Sequence, residues 1–226
     1  MDLDADELPE DRAHRKREYS GAGSTLGVAA LIVLAVGVAI WWFEVRGGGG
    51  GGITTEGFGI VELPDAANGT GQPPASRIGR AAPNFRLATL DGASETLDSY
   101  RGKWVLINFW ASWCGPCRSE TPDLQRFWER AGDAGAIVIG VNQQEPPGTV
   151  RDFVGEFQPT YPIVLDRTGE VSDAYAVGRG LPVTFLIDPA GVIREVYPGR
   201  ITAEQLATIE TDYLAAARAP AGRRAG

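Results

Sequence analysis

Trp104-Val105-Leu106-Ile107-Asn108-Phe109-Trp110 is an almost unbroken apolar run, and it leads straight into Ala111-Ser112-Trp113-Cys114-Gly115-Pro116-Cys117. Such a run reads as a parallel strand buried on both faces. The residues after it place Leu124, Phe127, Trp128 and Ala131 on one face of a helix. The only two cysteines of the chain therefore sit at a strand-to-helix junction, three positions apart. Residues i and i+3 on a first helical turn are neighbours, within the roughly 4.4–6.8 Å between Cα atoms that a disulfide tolerates. A reversible dithiol/disulfide pair is the chemistry this spacing supports.

Composition removes most competing chemistries. A net charge of −8 argues against a nucleic-acid footprint. The only histidine is His14, in a charged N-terminal stretch, so neither a zinc site of the usual ligand type nor a Cys-His hydrolase can be assembled around the cysteines. No metal site is expected. A static bridge closing so short a loop removes little chain entropy, which disfavours a purely stabilising disulfide.

In chain order, residues 1–25 are polar, with Arg12, Arg15, Lys16 and Arg17 clustered before the first apolar segment. Residues 26–43 carry no charge, and Trp41-Trp42 suits an interfacial aromatic belt. The basic cluster upstream outweighs the single Arg46 downstream, so the segment is expected to be one uncleaved transmembrane anchor with its N-terminus cytoplasmic and the rest extracytoplasmic. A cleaved signal peptide and a buried core helix are the alternatives; no small-x-small site follows before Glu44. Residues 44–77, opened by six consecutive glycines, are expected to be a flexible linker spanning about 30 Å r.m.s., with an undecided strand somewhere in 53–63. Asn68-Gly69-Thr70 matches the glycosylation sequon, a weak pattern.

The folded domain is expected over 78–217 and a disordered tail over 218–226. Asp91-Gly92 signals an N-terminal hairpin extension. Continuous apolar strands are expected at 104–110, 136–141 and 163–165. A helical insertion between the last two opens on Thr149-Val150-Arg151-Asp152 in capping-box style. Strands 183–187 and 192–197 form a hairpin about Asp188-Pro189-Ala190-Gly191, and a last helix begins with the Thr202/Gln205 capping box. Pro122 should kink the cysteine-bearing helix. The order implies an α/β fold: a mixed sheet flanked by helices on both faces.

Three pieces of sequence then carry a resemblance: Asn108 through Cys117, Glu120-Thr121-Pro122, and Leu181-Pro182-Val183-Thr184-Phe185. Together they resemble the membrane-anchored TlpA/ResA-like branch of thiol-disulfide oxidoreductases in the thioredoxin-like superfamily. Where thioredoxin carries a buried aspartate, six residues before the first cysteine, this chain has Asn108, which cannot take up a proton; in the TlpA/ResA branch the acid follows the second cysteine by three, here Glu120. The resemblance implies a thioredoxin-like fold, a cis Leu181-Pro182 bond against the dithiol, and reducing character from Gly115-Pro116. It further implies clients such as apocytochrome c and a membrane electron donor of the CcdA/DsbD type, since nothing in the chain would bind NADPH or flavin and no cofactor is expected.

The expected roles are as follows. Cys114, at the helix N-terminus, is the nucleophile, its thiolate favoured by the helix dipole and backbone N–H groups. Cys117 resolves the mixed disulfide. Glu120 accepts the Cys117 proton, its own pKa raised by burial; the competing reading is a solvated helix glutamate. The backbone of Leu181, next to Pro182, would pair with clients by strand addition; Trp113 and Trp110 would shield the site or contact clients, with core packing as the alternative that suffices for Trp110. An oxidase or isomerase, a redox-sensing adaptor and a thiol peroxidase are the competing functions; the last is disfavoured by the paired cysteines and by Ala111, where a peroxidase carries a supporting threonine.

Overall fold

The computed structural model describes residues 31–36, 38, 57–132, 135–178 and 180–215. They belong to two units, Met1–Gly52 and Ile53–Gly226. In the first, residues 31–36 and 38 are helical and expose Leu31, Ile32, Val33 and Leu34. Among the described residues no helix is long and apolar enough to cross a membrane. Most of the anchor expected over 26–43, and both expected tails, lie outside the described residues.

The second unit is built on one mixed sheet. Its strands are β1 (Gly59–Ile60), β2 (Phe85–Thr89), β3 (Ser94–Thr96), β4 (Trp104–Trp110), β5 (Ala136–Gln143), β6 (Ile163–Asp166), β7 (Val183–Ile187) and β8 (Ile193–Pro198). The order across the sheet is β1-β2-β6-β5-β4-β7-β8, with β3 also pairing β2. β4, β5 and β6 are parallel, while β7 runs antiparallel to β4 and β8 antiparallel to β7. Arg86 pairs with both Gly59 and Thr96, and Ala88 with both Leu165 and Ser94. β1 and β6 therefore share one side of β2, and β3 takes the other.

Alternation along β4 divides the core. Leu106 and Trp110 join a cluster with Leu124, Phe127, Leu206 and Ile209, under the helices α1 (Gly115–Ala131) and α4 (Ala203–Ile209). Val105, Ile107 and Phe109 point to the opposite face, toward Val171 and Tyr175, where α3 (Glu170–Ala174) packs. Helices thus cover both faces, as expected. The Asp91-Gly92 hairpin forms between β2 and β3, and α2 (Pro147–Phe157) is the insertion between β5 and β6.

Two local expectations change, and Asn68, noted only as a weak sequon match, takes a structural place. The stretch from Gly57 onward, expected as linker, is laid on the sheet: Ile60 N–H donates to Glu170 Oε1 at 3.2 Å, and Val61 N–H to the Asn84 carbonyl at 3.0 Å. Gly59 sits at φ +120°, a backbone conformation that side-chain-bearing residues rarely adopt, so glycine serves the path of the chain onto the sheet here. Asn68 is bound as a turn former: its Nδ2 donates to the Gln72 carbonyl at 2.8 Å and its Oδ1 accepts from Thr70 Oγ1 at 2.7 Å. The α2 capping box does not form. The helix starts at Pro147, after an N-cap Pro146 with no side-chain bond, because proline's fixed φ suits the first helical position and its missing N–H is one that position leaves unpaired. The Thr202/Gln205 box of α4, by contrast, has both of its reciprocal bonds.

Candidate active site

Cys114 is the N-cap of α1, and its Sγ accepts the backbone N–H of Cys117 at 3.2 Å. Pro116 falls in the first turn, where its missing N–H is not needed. The two sulfurs are joined as a disulfide with the Cα atoms 5.2 Å apart. Both cysteines are buried in this state, but Trp113, Gly115 and Pro116 around them are exposed, Trp113 to 66%. Trp110 is buried, its ring 4.3 Å from that of Phe153, so it is a core residue.

Beneath the dithiol lies Glu120. Three residues after Cys117 it shares that residue's face of α1, and this face is turned to the sheet. Its side chain is fully buried. Asn108, on the same side of β4 as Leu106 and Trp110, donates from Nδ2 to Glu120 Oε1 at 2.8 Å and to Thr184 Oγ1 at 3.0 Å. The Ile201 N–H donates to Glu120 Oε2 at 2.8 Å. Burial pushes the Glu120 carboxyl up to about 7, against the opposing pull of the Asn108 and Ile201 hydrogen bonds and of Arg200; the nearby Asp123 adds to the rise. Asp123 is itself bound by Arg126 and, at 3.1 Å, by Arg200. The neighbouring Tyr161 hydroxyl is pushed above its ordinary range by burial and by the Glu120 charge.

The Leu181-Pro182 peptide bond is cis. β7 pairs with β4 through Val183↔Phe109, so Leu181 and Pro182 come to the same end of the sheet as the Ala111–Cys114 loop. Every residue expected at the site is thus gathered at the C-terminal end of β4 or on the first two turns of α1.

Four participants escaped the sequence reading. Asn108, read only as an acid that is missing, holds Glu120 in place. Thr184 and Ile201 complete that network from β7 and from the residue before the α4 N-cap, Thr202. Glu145, just past β5, accepts the Ser112 N–H and the Asn142 Nδ2–H, both at 2.7 Å, and also the Ser112 hydroxyl. Alternation in 104–110 was the signal for Asn108; the other three contacts join residues far apart in sequence. Among the described residues no cluster of side chains could hold a metal ion.

The sequence pattern of the AhpC/TSA family matches residues 78–196, more than half of the chain. The thiol-disulfide oxidoreductase ResA of Geobacillus thermodenitrificans is 40% identical over 132 residues, covering 58% of this chain and 75% of that protein. ResA of Oceanobacillus iheyensis is 35% identical over 134 residues, covering 58% and 69%. The chain belongs to the AhpC/TSA family and is a ResA-type thiol-disulfide oxidoreductase. Its fold agrees with solved members of the group. A Chlorobium tepidum protein assigned as thiol:disulfide interchange protein DsbE shares 30% identity at a TM-score of 0.56, over 62% of this chain and 97% of that one. StoA of Bacillus subtilis shares 31% at 0.50, over 55% and 94%. Thioredoxin-like architecture follows for this enzyme as a ResA-type member, and Cys114–Cys117 is its cysteine pair.

Proposed function

We propose that this enzyme reduces disulfides in client proteins outside the cytoplasm, anchored by one transmembrane helix at residues 26–43. The observation that carries the reading is Glu120: a fully buried carboxylate three residues past Cys117, held by Asn108 and Ile201 and poised near neutrality. An acid buried under the resolving cysteine serves proton transfer, and the exposed Trp113 supplies an apolar surface for a client chain.

In the first step the Cys114 thiolate attacks one sulfur of a client disulfide. The client S–S bond breaks, its other sulfur leaves as a thiolate, and a mixed disulfide forms. The Cys117 thiol then gives its proton to the Glu120 carboxylate, and the Cys117 thiolate attacks Cys114 Sγ. The second client sulfur leaves, and the Cys114–Cys117 disulfide forms. Two electrons have passed from the dithiol to the client. Returning the pair to its reduced state requires two electrons from another dithiol, for which a membrane donor of the CcdA/DsbD type is the proposed partner. Apocytochrome c, whose haem-attachment cysteines must be reduced, is the proposed client, and cytochrome c maturation the proposed process. The Leu181 backbone, beside cis Pro182, is proposed to pair with the extended client segment.

Equilibration with defined thiol buffers tests the direction. A potential in the range of thioredoxin, about −270 mV, is expected; a value near that of strong oxidants, about −120 mV, would overturn the reductase reading. Cys117→Ser, which leaves Cys114 able to attack but not to be released, should accumulate mixed disulfides with clients. Recovery of apocytochrome c among them is expected, and its absence from a strain making c-type cytochromes would remove it as a client.

A further inference from the structure

We infer that Glu145 is a positioning residue that fixes the loop carrying Cys114, acting through Ser112. The inference rests on the reading of Cys114 as nucleophile. Ser112 lies two residues before Cys114, in the short turn between β4 and α1, and both of its backbone polar groups are held. Its N–H donates to Glu145 Oε2 at 2.7 Å, and its hydroxyl donates to Glu145 Oε1. Its carbonyl accepts from Arg118 Nη1 at 3.4 Å. Arg118 is in turn stacked 4.7 Å from the Phe157 ring centroid and paired with Glu156. Glu145, Glu156 and Phe157 all belong to α2 or to the residues just before it, so one segment grips the cysteine loop from both sides.

Glu145 is buried, and a buried carboxylate is costly unless its oxygens are occupied. Here they accept three donors, two of them from Ser112, and the third is Asn142 Nδ2, one residue from the end of β5. A carboxylate serving only the interior would need no partner on the reactive loop. Spending two of its three bonds on Ser112 ties the loop to the rigid centre of the sheet. The turn continues from Ala111, whose carbonyl accepts the Cys114 N–H at 3.1 Å, into the N-cap geometry in which Cys114 Sγ faces the Cys117 N–H. Loosening Ser112 therefore loosens the geometry that stabilises the Cys114 thiolate and aims Trp113.

Charge and reach can be separated by substitution. Glu145→Asp keeps the charge, but its side chain is one methylene shorter and withdraws from Ser112. Glu145→Gln loses the charge but keeps the length. Its carbonyl, in the place of Oε2, can accept both the Ser112 N–H and the Asn142 Nδ2–H, and its amide, in the place of Oε1, can donate to the Ser112 hydroxyl oxygen.

The experiment measures alkylation of Cys114 by iodoacetamide against pH in the full chain carrying Cys117→Ser, alone and combined with each Glu145 variant. In the Asp variant alkylation at pH 7 is expected to slow about fivefold and its pH midpoint to rise, as for loss of a helix cap, whereas the Gln variant stays within about twofold of its parent on the same scale. Equal rates in the Asp variant and its parent, or equal slowing in both variants, would overturn the inference. Should the Asp variant fail to fold, Ser112→Ala removes one of the two Ser112 bonds and is expected to slow alkylation about twofold; no change there would overturn it as well. The underlying reading fails separately: if the Cys117→Ser parent itself titrates at the free-thiol value of about 8.5, Cys114 is not an activated nucleophile, whatever Glu145 does.

Discussion

The surroundings of Glu120 set two different pH dependences. As a base it must be ionised to accept the Cys117 proton, so resolution of the mixed disulfide should accelerate as pH rises through about 7. Glu120→Gln should slow that step by about 10²-fold or more and erase the midpoint, measured by stopped-flow release of client thiol; an unchanged profile would return Glu120 to a packing role. Arg200 pulls the Glu120 carboxyl down, so Arg200→Gln should move the midpoint of the same profile upward. Stability has the opposite sense. A carboxyl whose folded pKa lies near 7 against an ordinary 4.5 binds more protons folded than unfolded across that window. Its stabilisation is therefore complete below about 4.5 and is lost as pH rises through about 7, an effect on the order of 3 kcal/mol for a group this buried. Denaturant unfolding at pH 5 and pH 8 should show wild type losing more stability than Glu120→Gln.

At the scale of the elements, β5 shows how closely the sheet is fitted behind the site. Gly140 pairs with Asn108 on β4 and Ile163 on β6. A Cβ there would lie 2.6 Å from Ile163 Cδ1 and 3.0 Å from Trp110 Nε1. Ala is ordinarily at no disadvantage to glycine in a strand, so the clash decides the sign: Gly140→Ala should destabilise by about 1–3 kcal/mol, read as a lower urea midpoint with an unchanged slope. A gain in stability would mean that Trp110 and Ile163 can move aside. The elements also differ in how openly the sequence declared them. β4, β5, β6 and the β7–β8 hairpin were legible from apolar runs and turn residues, and α4 from a capping box whose two bonds form. α2 begins three residues before its expected start because Pro146-Pro147 outcompete the Thr149 cap. β1 falls in the stretch 53–63, left undecided because two residues among glycines carry no period, and an available edge on β2 makes them a strand.

For the molecule as a whole, the dithiol and its fold were legible because strand, cysteine turn and helix are contiguous in the chain. The second layer of the site was not. Asn108 with Thr184, Glu120 with Ile201 and Ser112 with Glu145 are joined only after the sheet brings distant segments together, and no local pattern announces such pairs. What the sequence does declare at this scale is an asymmetry of charge about residues 26–43, with Arg12, Arg15, Lys16 and Arg17 before it and only Arg46 soon after. Basic flanks are ordinarily retained in the cytoplasm, so the proposed topology would put the catalytic domain on the far side, where disulfides form and a reductant would have clients. In that proposed topology a reductant would be cut off from cytosolic donors, and its activity would depend on electrons carried through the membrane. An alkaline phosphatase reporter fused after Gly226 should therefore be active, and the same fusion should lose activity when Arg12, Arg15, Lys16 and Arg17 are replaced by glutamine and basic residues are added beside Arg46. A fusion inactive at Gly226 in the natural sequence would place the dithiol in the cytoplasm and remove the need for a membrane donor.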